Sequence, residues 1–346
     1  MERKEMTPKV FTNKILTGTA QATLIALIPH AILGGFLKYF NHLPLVSMIL
    51  LVTQMFQLAT PLIIGSMIAK QFNFTPARSL IVGAASFAGS GVVHFNEESH
   101  SFIAQGTGDI INVMLTAAVG CLMVLFIGDR FKSLETIAMP LVVGVGAGVI
   151  GMLIYPYVSL ITLAIGRFID QFTQFQPILM SILIACSFAT LIISPITTIG
   201  LGMAIQLNLM SAGAAAMGIA ATTIVLVIHS WKVNESGVTL AVALGGMKMM
   251  MPNLIKYPVI LVPSLFTAMI SSLPVSLLNI SGTPQSAGFG LIGMVGPLAS
   301  HEAGLQLSLV VVCWFVIPIC TGLLAKFLFE KVLKLYDSKE VFAYQG

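Results

Sequence analysis

Apolar windows of about 20 residues recur from Ile15 to Phe329, near 15–39, 43–69, 76–93, 109–128, 137–163, 174–195, 208–230, 238–254, 257–279 and 303–329. At 1.5 Å per residue, about 20 residues cross the roughly 30 Å of hydrocarbon in a bilayer. The pattern therefore predicts an all-α integral membrane protein of about ten spans. Two stretches break the rhythm: GSGVVHFNEESHSFIAQGTGD at 89–109 and SGTPQSAGFGLIGMVGPLASHE at 281–302.

The second stretch holds Gly282, Gly288, Gly290, Gly293 and Gly296 with Pro284 and Pro297. Each glycine costs a helix about 1 kcal/mol relative to alanine, and each proline removes a backbone donor. Irregular backbone is tolerated at membrane depth only where protein or a watery cavity satisfies its polar groups. A re-entrant hairpin is one reading, with helix ends and Thr283, Gln285 and Ser286 turned to an anionic or hydroxyl-rich solute. The other is a tightly packed glycine-rich outer loop. His301 and Glu302 close the stretch. They either face a solute or a coupling proton, or pair to cap the following helix.

In the first stretch His94, Asn96, Glu97, Glu98, His100 and Asp109 stand together without Lys or Arg. On a helix His94 shares a face with Glu97 and Glu98 while His100 points elsewhere, so HFNEESH is not a zincin motif. A solvated outer loop, a solute-facing segment and a metal site remain the readings. SPITT at 194–198 breaks the helix before it and brings Thr197 and Thr198 to the break. Lys248, in GGMKMMM, is the only basic residue well inside an apolar segment; it either neutralises a buried carboxylate or snorkels to the cytosolic surface. The runs GVGAGVIG at 144–151 and SAGAAAMG at 211–218 space small residues four apart and read as close helix packing.

Composition sharpens this picture. The 346 residues are 57% hydrophobic and only 9% charged, with a mean hydropathy of +0.97. Soluble domains carry about 25% charged residues. The net charge of +4 reflects Lys and Arg at segment ends, a topology signal rather than a nucleic-acid one. With a cytosolic amino terminus, all but Lys38, Arg167, Lys232 and Lys248 of the 17 basic residues, including Arg3 and Lys4, fall on the cytosolic side. An even number of spans with both termini inside follows. Cys121, Cys186, Cys313 and Cys320 sit in apolar segments without metal spacing, as small hydrophobes. No phosphate-cradling, dinucleotide or GxSxG motif occurs, so neither a nucleotide cofactor nor hydrolysis is expected.

Residues 1–14 and 336–346 read as cytosolic tails flanking one polytopic domain, 15–335. A faint echo links ATLIALIPHAILGG at 22–35 with ATLIISPITTIGLG at 189–202, and SLIVGAA at 79–85 with TLAVALG at 239–245. In it Pro29 and His30 match the SPITT break. Two five-span halves, 15–170 and 174–335, would be inverted repeats with a solute site where they meet.

ALIPHAILGGFLK, FATLIISPITTIGLGMAI and GTPQSAGFGLIGMVGPL resemble the enzyme IIC membrane proteins of the bacterial sugar phosphotransferase system, in the branch similar to the perfringolysin regulatory protein. The resemblance covers nearly the whole chain. It implies a homodimeric transporter in the cytoplasmic membrane, ten spans plus re-entrant hairpins, an elevator movement, and phosphorylation of the solute by separate IIA and IIB proteins. Two departures stand out: no Gly-Ile-Thr-Glu tetrapeptide occurs, and no soluble IIA or IIB domain stands within these residues. By position the resemblance puts His94, Glu97, His301 and Glu302 near the solute; Asn96, Thr197, Thr198, Thr283 and Ser286 join them as binding candidates. The leading expectation is a transporter of a small polar solute. A sensor that kept the transporter fold, and a membrane enzyme using the His94–His100 cluster on a metal, are the rivals.

Overall fold

A computed structural model describes residues 6–37 and 40–345; Arg3, Lys4 and Lys38 lie outside the described residues. The chain is mostly helical. In order it forms α1 (Pro8–Leu37), α2 (Pro44–Leu58), α3 (Thr60–Gln71), α4 (Pro76–Gly89), β1 (Val93–Asn96), β2 (Ser101–Ala104), α5 (Ile110–Ile127), α6 (Glu135–Met139) and α7 (Gly146–Asp170). Then come α8 (Pro177–Leu191), α9 (Thr198–Ala204), α10 (Leu209–Ser230), α11 (Ser236–Ala243), α12 (Met251–Lys256) and α13 (Leu261–Leu278). The last are α14 (Pro284–Phe289), α15 (Val295–Glu302), α16 (Leu307–Val311), α17 (Ile317–Lys326) and α18 (Ser338–Val341).

Five stretches among the described residues are long and apolar enough to cross a membrane: Ile110–Ile127, Lys132–Gln174, Leu209–Ser230, Pro258–Leu278 and Leu307–Val332. Two bent pairs raise the number to seven, α2 with α3 at 50° and α11 with Met247–Lys256 at 120°. The chain is therefore a multi-pass membrane protein. Several of the ten apolar windows fold as shorter pieces. The 174–195 window yields the 15 residues of α8, and the 238–254 window turns back on itself. The eight residues of α11 span only about 12 Å at 1.5 Å each, so that window does not cross the hydrocarbon in one straight run. Pro29 leaves α1 unbroken whereas SPITT ends α8, so the echo between those two segments does not extend to their backbone.

The described residues divide into two compact units, one of residues 6–27 and 51–161, the other of 28–37, 40–50 and 162–345. The first packs around Ile64, Ile68, Val82, Ile110, Val113, Ala117, Cys121 and Val143. Here α3 and α4 approach closely because Gly65 and Gly83 face Ser86 and Ser66 across the seam. Asn112 of α5 ties two further helices together, its Nδ2 donating to Gly89 O at 2.5 Å and Gly151 O at 3.0 Å. Gly151, in the GVGAGVIG run, thus serves packing. Arg78 staples the ends of three helices: Nε donates to Glu135 Oε1 and Nη2 to Asp129 Oδ1, both at 2.7 Å, and Nη2 also to Gly128 O at 3.1 Å.

Strands β1 and β2 form an antiparallel hairpin in which His94 pairs with Ile103 and Phe95 with Phe102. The helical placement of His94 with Glu97 and Glu98 therefore does not hold. The cause is local: Asn96 Oδ1 accepts the N–H groups of Glu98 at 2.9 Å and Ser99 at 3.1 Å, an Asx turn that reverses the chain. A two-stranded hairpin leaves both outer edges unpaired, which hydrocarbon does not tolerate. The segment therefore does not face lipid tails.

In the second unit α10 is the axis, with 83% of its apolar window buried against neighbours. Small residues make this possible. A Cβ on Gly218 would lie 2.0 Å from Ala185 O of α8 and one on Gly213 2.1 Å from Ile280 O, so both helices need bare backbone there. The carboxyl-terminal segment docks at the far end of α10. His229 Nδ1 donates to Val225 O at 2.8 Å, which leaves Nε2 to accept from the Tyr336 hydroxyl at 2.9 Å. Phe342 stacks on His229 at 4.2 Å, and burial pushes the Tyr336 phenol above its ordinary pKa. Asn253 Nδ2 donates to Val341 O and Ala343 O at 2.8 and 2.7 Å, and Asn234 Nδ2 to Phe342 O at 2.8 Å.

Two outcomes follow. Gly218→Ala melts below wild type in detergent by the equivalent of about 1–3 kcal/mol, the cost of overpacking, whereas Gly237→Ala, where a Cβ meets open space, does not. Asn253→Leu strips one buried and one half-buried carbonyl of their donor at about 1–3 kcal/mol in all, so limited proteolysis cuts residues 337–345 faster than in wild type.

Candidate functional site

Three interruptions meet in the second unit: the SPITT break between α8 and α9, the turn between α11 and α12, and the glycine-rich run from α14 to α15. Each has a local cause. Pro195 cannot donate to the helix that would otherwise continue α8, and Ser194 turns its hydroxyl back to Leu191 O at 2.8 Å. Leu244 ends α11, and Gly245 at φ +126° turns the chain. After α14, Gly290 sits at φ 60° and ψ −121°, a region L side chains rarely adopt, and an added Cβ would strike Ile219 of α10. Gly293 and Met294, at φ 58° and 59°, then redirect the chain into α15.

These pieces are held together by backbone acceptors. Thr198 Oγ1 donates to Gly288 O at 2.9 Å, joining α9 to α14. Gly288 fits because its missing side chain leaves room for Ile199, where a Cβ would come within 2.3 Å of Ile199 Cα. Gly202 packs against Pro284 O and Ala287 in the same seam. Backbone pairing of Gly282 N with Leu209 O at 2.9 Å anchors the entry to α14. Gly245 rests on Ile292, which brings the α11–α12 turn to the α14–α15 run. Trp314 fills the space beside Gly296, whose added Cβ would lie 2.5 Å from Trp314 Cη2.

Lys248 corrects the sequence reading of that residue. It neither pairs with a carboxylate among the described residues nor snorkels, since it is 7% exposed. Its Nζ donates to Ser194 O at 2.5 Å and Ile196 O at 2.8 Å. The carbonyls freed by the SPITT break are what hold it there.

The binding candidates divide into buried and exposed groups. Thr198 and Ser286 are buried, and their hydroxyls are engaged in structure. Ser286 and Thr283 form a reciprocal cap, Ser286 N donating to Thr283 Oγ1 at 3.1 Å and Thr283 N to Ser286 Oγ at 2.8 Å. Thr197 caps α9 through Gly200 N at 3.3 Å. The starts of α9 and α14 are thus partly satisfied from within, and at seven and six residues these helices offer less dipole than the sequence suggested. Thr283, Gln285, His301 and Glu302 are exposed, and Thr197 is half-buried. His301 Nδ1 bonds Leu305 O at 2.9 Å beside an open cavity of about 380 Å³ lined by Asn279, Ser300, Gly304 and Gln306 among others. That volume lies within the range of about 300–1,000 Å³ typical of small-molecule sites.

His94, Asn96 and Glu97 belong to the other compact unit, on the hairpin; His94 and Glu97 are exposed and Asn96 shapes the turn. Among the described residues no three His, Cys, Asp or Glu side chains lie close enough to share a metal ion. The sequence reading missed Gly288 and Gly202 as the seam between α9 and α14; the small residues at those positions were the only signal. It also missed the contact of Lys248 with the break, although an isolated lysine in GGMKMMM pointed to it.

No curated protein sequence matches the chain significantly. The family model described as "Phosphotransferase system, EIIC" matches residues 13–342, from early in α1 to the docked carboxyl-terminal segment. With nearly all of its length covered, the chain belongs to the phosphotransferase system EIIC family of membrane proteins.

Proposed function

We propose that the chain carries a small polar solute, of the sugar class, across the cytoplasmic membrane. Its second unit holds the solute between broken-helix elements and moves as a rigid body in an elevator-like cycle. The observation that carries this reading is the hydrogen-bonded contact of α9 with α14, two helices too short to span a bilayer that meet where the backbone is irregular. Family membership supports a transporter-type protein with a small solute and IIA and IIB partners. Division into two compact units supports a movement of one against the membrane. Solute hydroxyls find exposed partners in Thr283, Gln285 and Glu302 and in His301, which bonds Leu305 in the lining of the cavity at Asn279 and Gln306, while Thr198 and Ser286 fix the frame. Separate IIA and IIB proteins phosphorylate the solute; ten apolar segments in two inverted halves, the 238–254 segment re-entrant, both termini in the cytosol and a homodimer complete the proposal.

The decisive experiment is uptake of labelled sugars into vesicles containing the full chain, with and without added IIA and IIB. Accumulation that His301→Ala abolishes while the protein stays folded is the expected result; specific binding with no uptake under any condition contradicts transport. Thr198→Val keeps the shape but leaves Gly288 O without its donor. It lowers stability by about 1–3 kcal/mol, the cost of the stripped carbonyl, and weakens solute binding because the α9–α14 frame loosens; unchanged affinity removes the α9–α14 contact from the site.

A further inference from the structure

Broken helices at bilayer depth leave carbonyl oxygens without their i+4 donors, and in many transporters a coupling cation collects them. Here the two oxygens freed at the SPITT break, Ser194 O and Ile196 O, converge on Lys248 Nζ at 2.5 and 2.8 Å. Three observations make the ammonium more than a snorkelling side chain. Lys248 is buried, at 7% exposure. No carboxylate among the described residues pairs with Lys248; the ion pairs seen there include those of Arg78 with Asp129 and Glu135. Finally, the residue sits in the 3-10 turn Met247–Met250, at the 120° bend between α11 and α12, and so reaches from one interrupted segment into another.

A buried ammonium with no counter-ion is costly unless fixed dipoles replace its water. The carboxyl-terminal end of the 15-residue α8, which carries about half a negative charge from its unsatisfied carbonyls, lies just before the break and supplies that compensation. We infer that Lys248 is a built-in cation: its ammonium occupies the position at the α8–α9 break that a monovalent metal ion would take, and holds the break open for α14 without sodium or potassium. The inference deepens the transport reading and rests on it for its purpose. Lys248 acts as a positioning residue, through Ser194 and Ile196, on the α9–α14 contact that Thr198 closes. Removing the side chain leaves two inward-pointing carbonyls and a space with affinity for a small cation, either an alkali metal ion or an alkylammonium.

Thermal melting of the full chain in detergent, at constant ionic strength in sodium, potassium, methylammonium or choline chloride, tests this without any solute. Wild type melts at one temperature in all four salts. Lys248→Ala melts several degrees lower in choline and recovers, with saturating concentration dependence, in sodium or methylammonium. Should Lys248→Ala not purify folded, Lys248→Ser, equally short and uncharged, is compared in the same salts and shows the same recovery. A wild-type melting point that rises specifically with sodium or potassium overturns the inference, because a metal site then exists beside the lysine. A variant deficit equal in all salts overturns it too, since it marks a purely steric role, as does a Lys248→Met protein that melts like wild type. Because melting needs neither uptake nor partners, these results stand whether or not the vesicle experiment shows transport.

Discussion

A backbone carbonyl or amide inside hydrocarbon has no water to bond, and everything in the second unit follows from how three helix interruptions meet that constraint. At the SPITT break the donors come from Lys248 and from the hydroxyl of Ser194. At the start of α14 they come from the reciprocal cap of Thr283 and Ser286. Between α9 and α14 the donor is Thr198. Each is a polar or charged side chain placed within reach of a specific oxygen or amide, which is why these residues interrupt otherwise apolar windows.

Packing supplies the second half of the design. Irregular segments can meet only if the helices behind them leave room, and α10 does so with glycine and alanine at 212–218 facing α8 and the loop before α14. The rigid, buried α10 then serves as a wall against which Gly290 turns the chain. At its opposite end the same helix holds His229 under Tyr336 and Phe342, so the carboxyl-terminal segment is part of the fold rather than a free tail. That docking lay beyond the sequence reading because 336–346 carries the polar composition of a solvated tail, and the asparagines that bind it, Asn234 and Asn253, stand about 90 to 110 residues away from their partners.

Hydropathy made the membrane class and helical character legible, because apolar length is a property of a single segment. It was less reliable at counting spans. The 238–254 window has the composition of a span, yet Gly245 folds it back, and neither composition nor length encodes a 120° bend. At the site, Thr197, Thr198, Thr283 and Ser286 stood out as polar residues at proline breaks, and they do gather in one unit, though largely as caps and frame. The hairpin around His94 escaped the periodicity argument because an Asx turn depends on one asparagine side chain rather than on a repeating pattern.

For a solute to bind as proposed, the glycine-rich run from 281 to 302 must line a water-filled pocket rather than face lipid. Cysteine accessibility measures this directly, in sealed vesicles with the four native cysteines replaced and a membrane-impermeant maleimide as the probe. With such a pocket, Thr283→Cys and Gln285→Cys react, bound solute slows the reaction, and Leu277→Cys, on the exposed face of α13, stays unmodified. Labelling of Thr283→Cys and Gln285→Cys no faster than that of Leu277→Cys contradicts it.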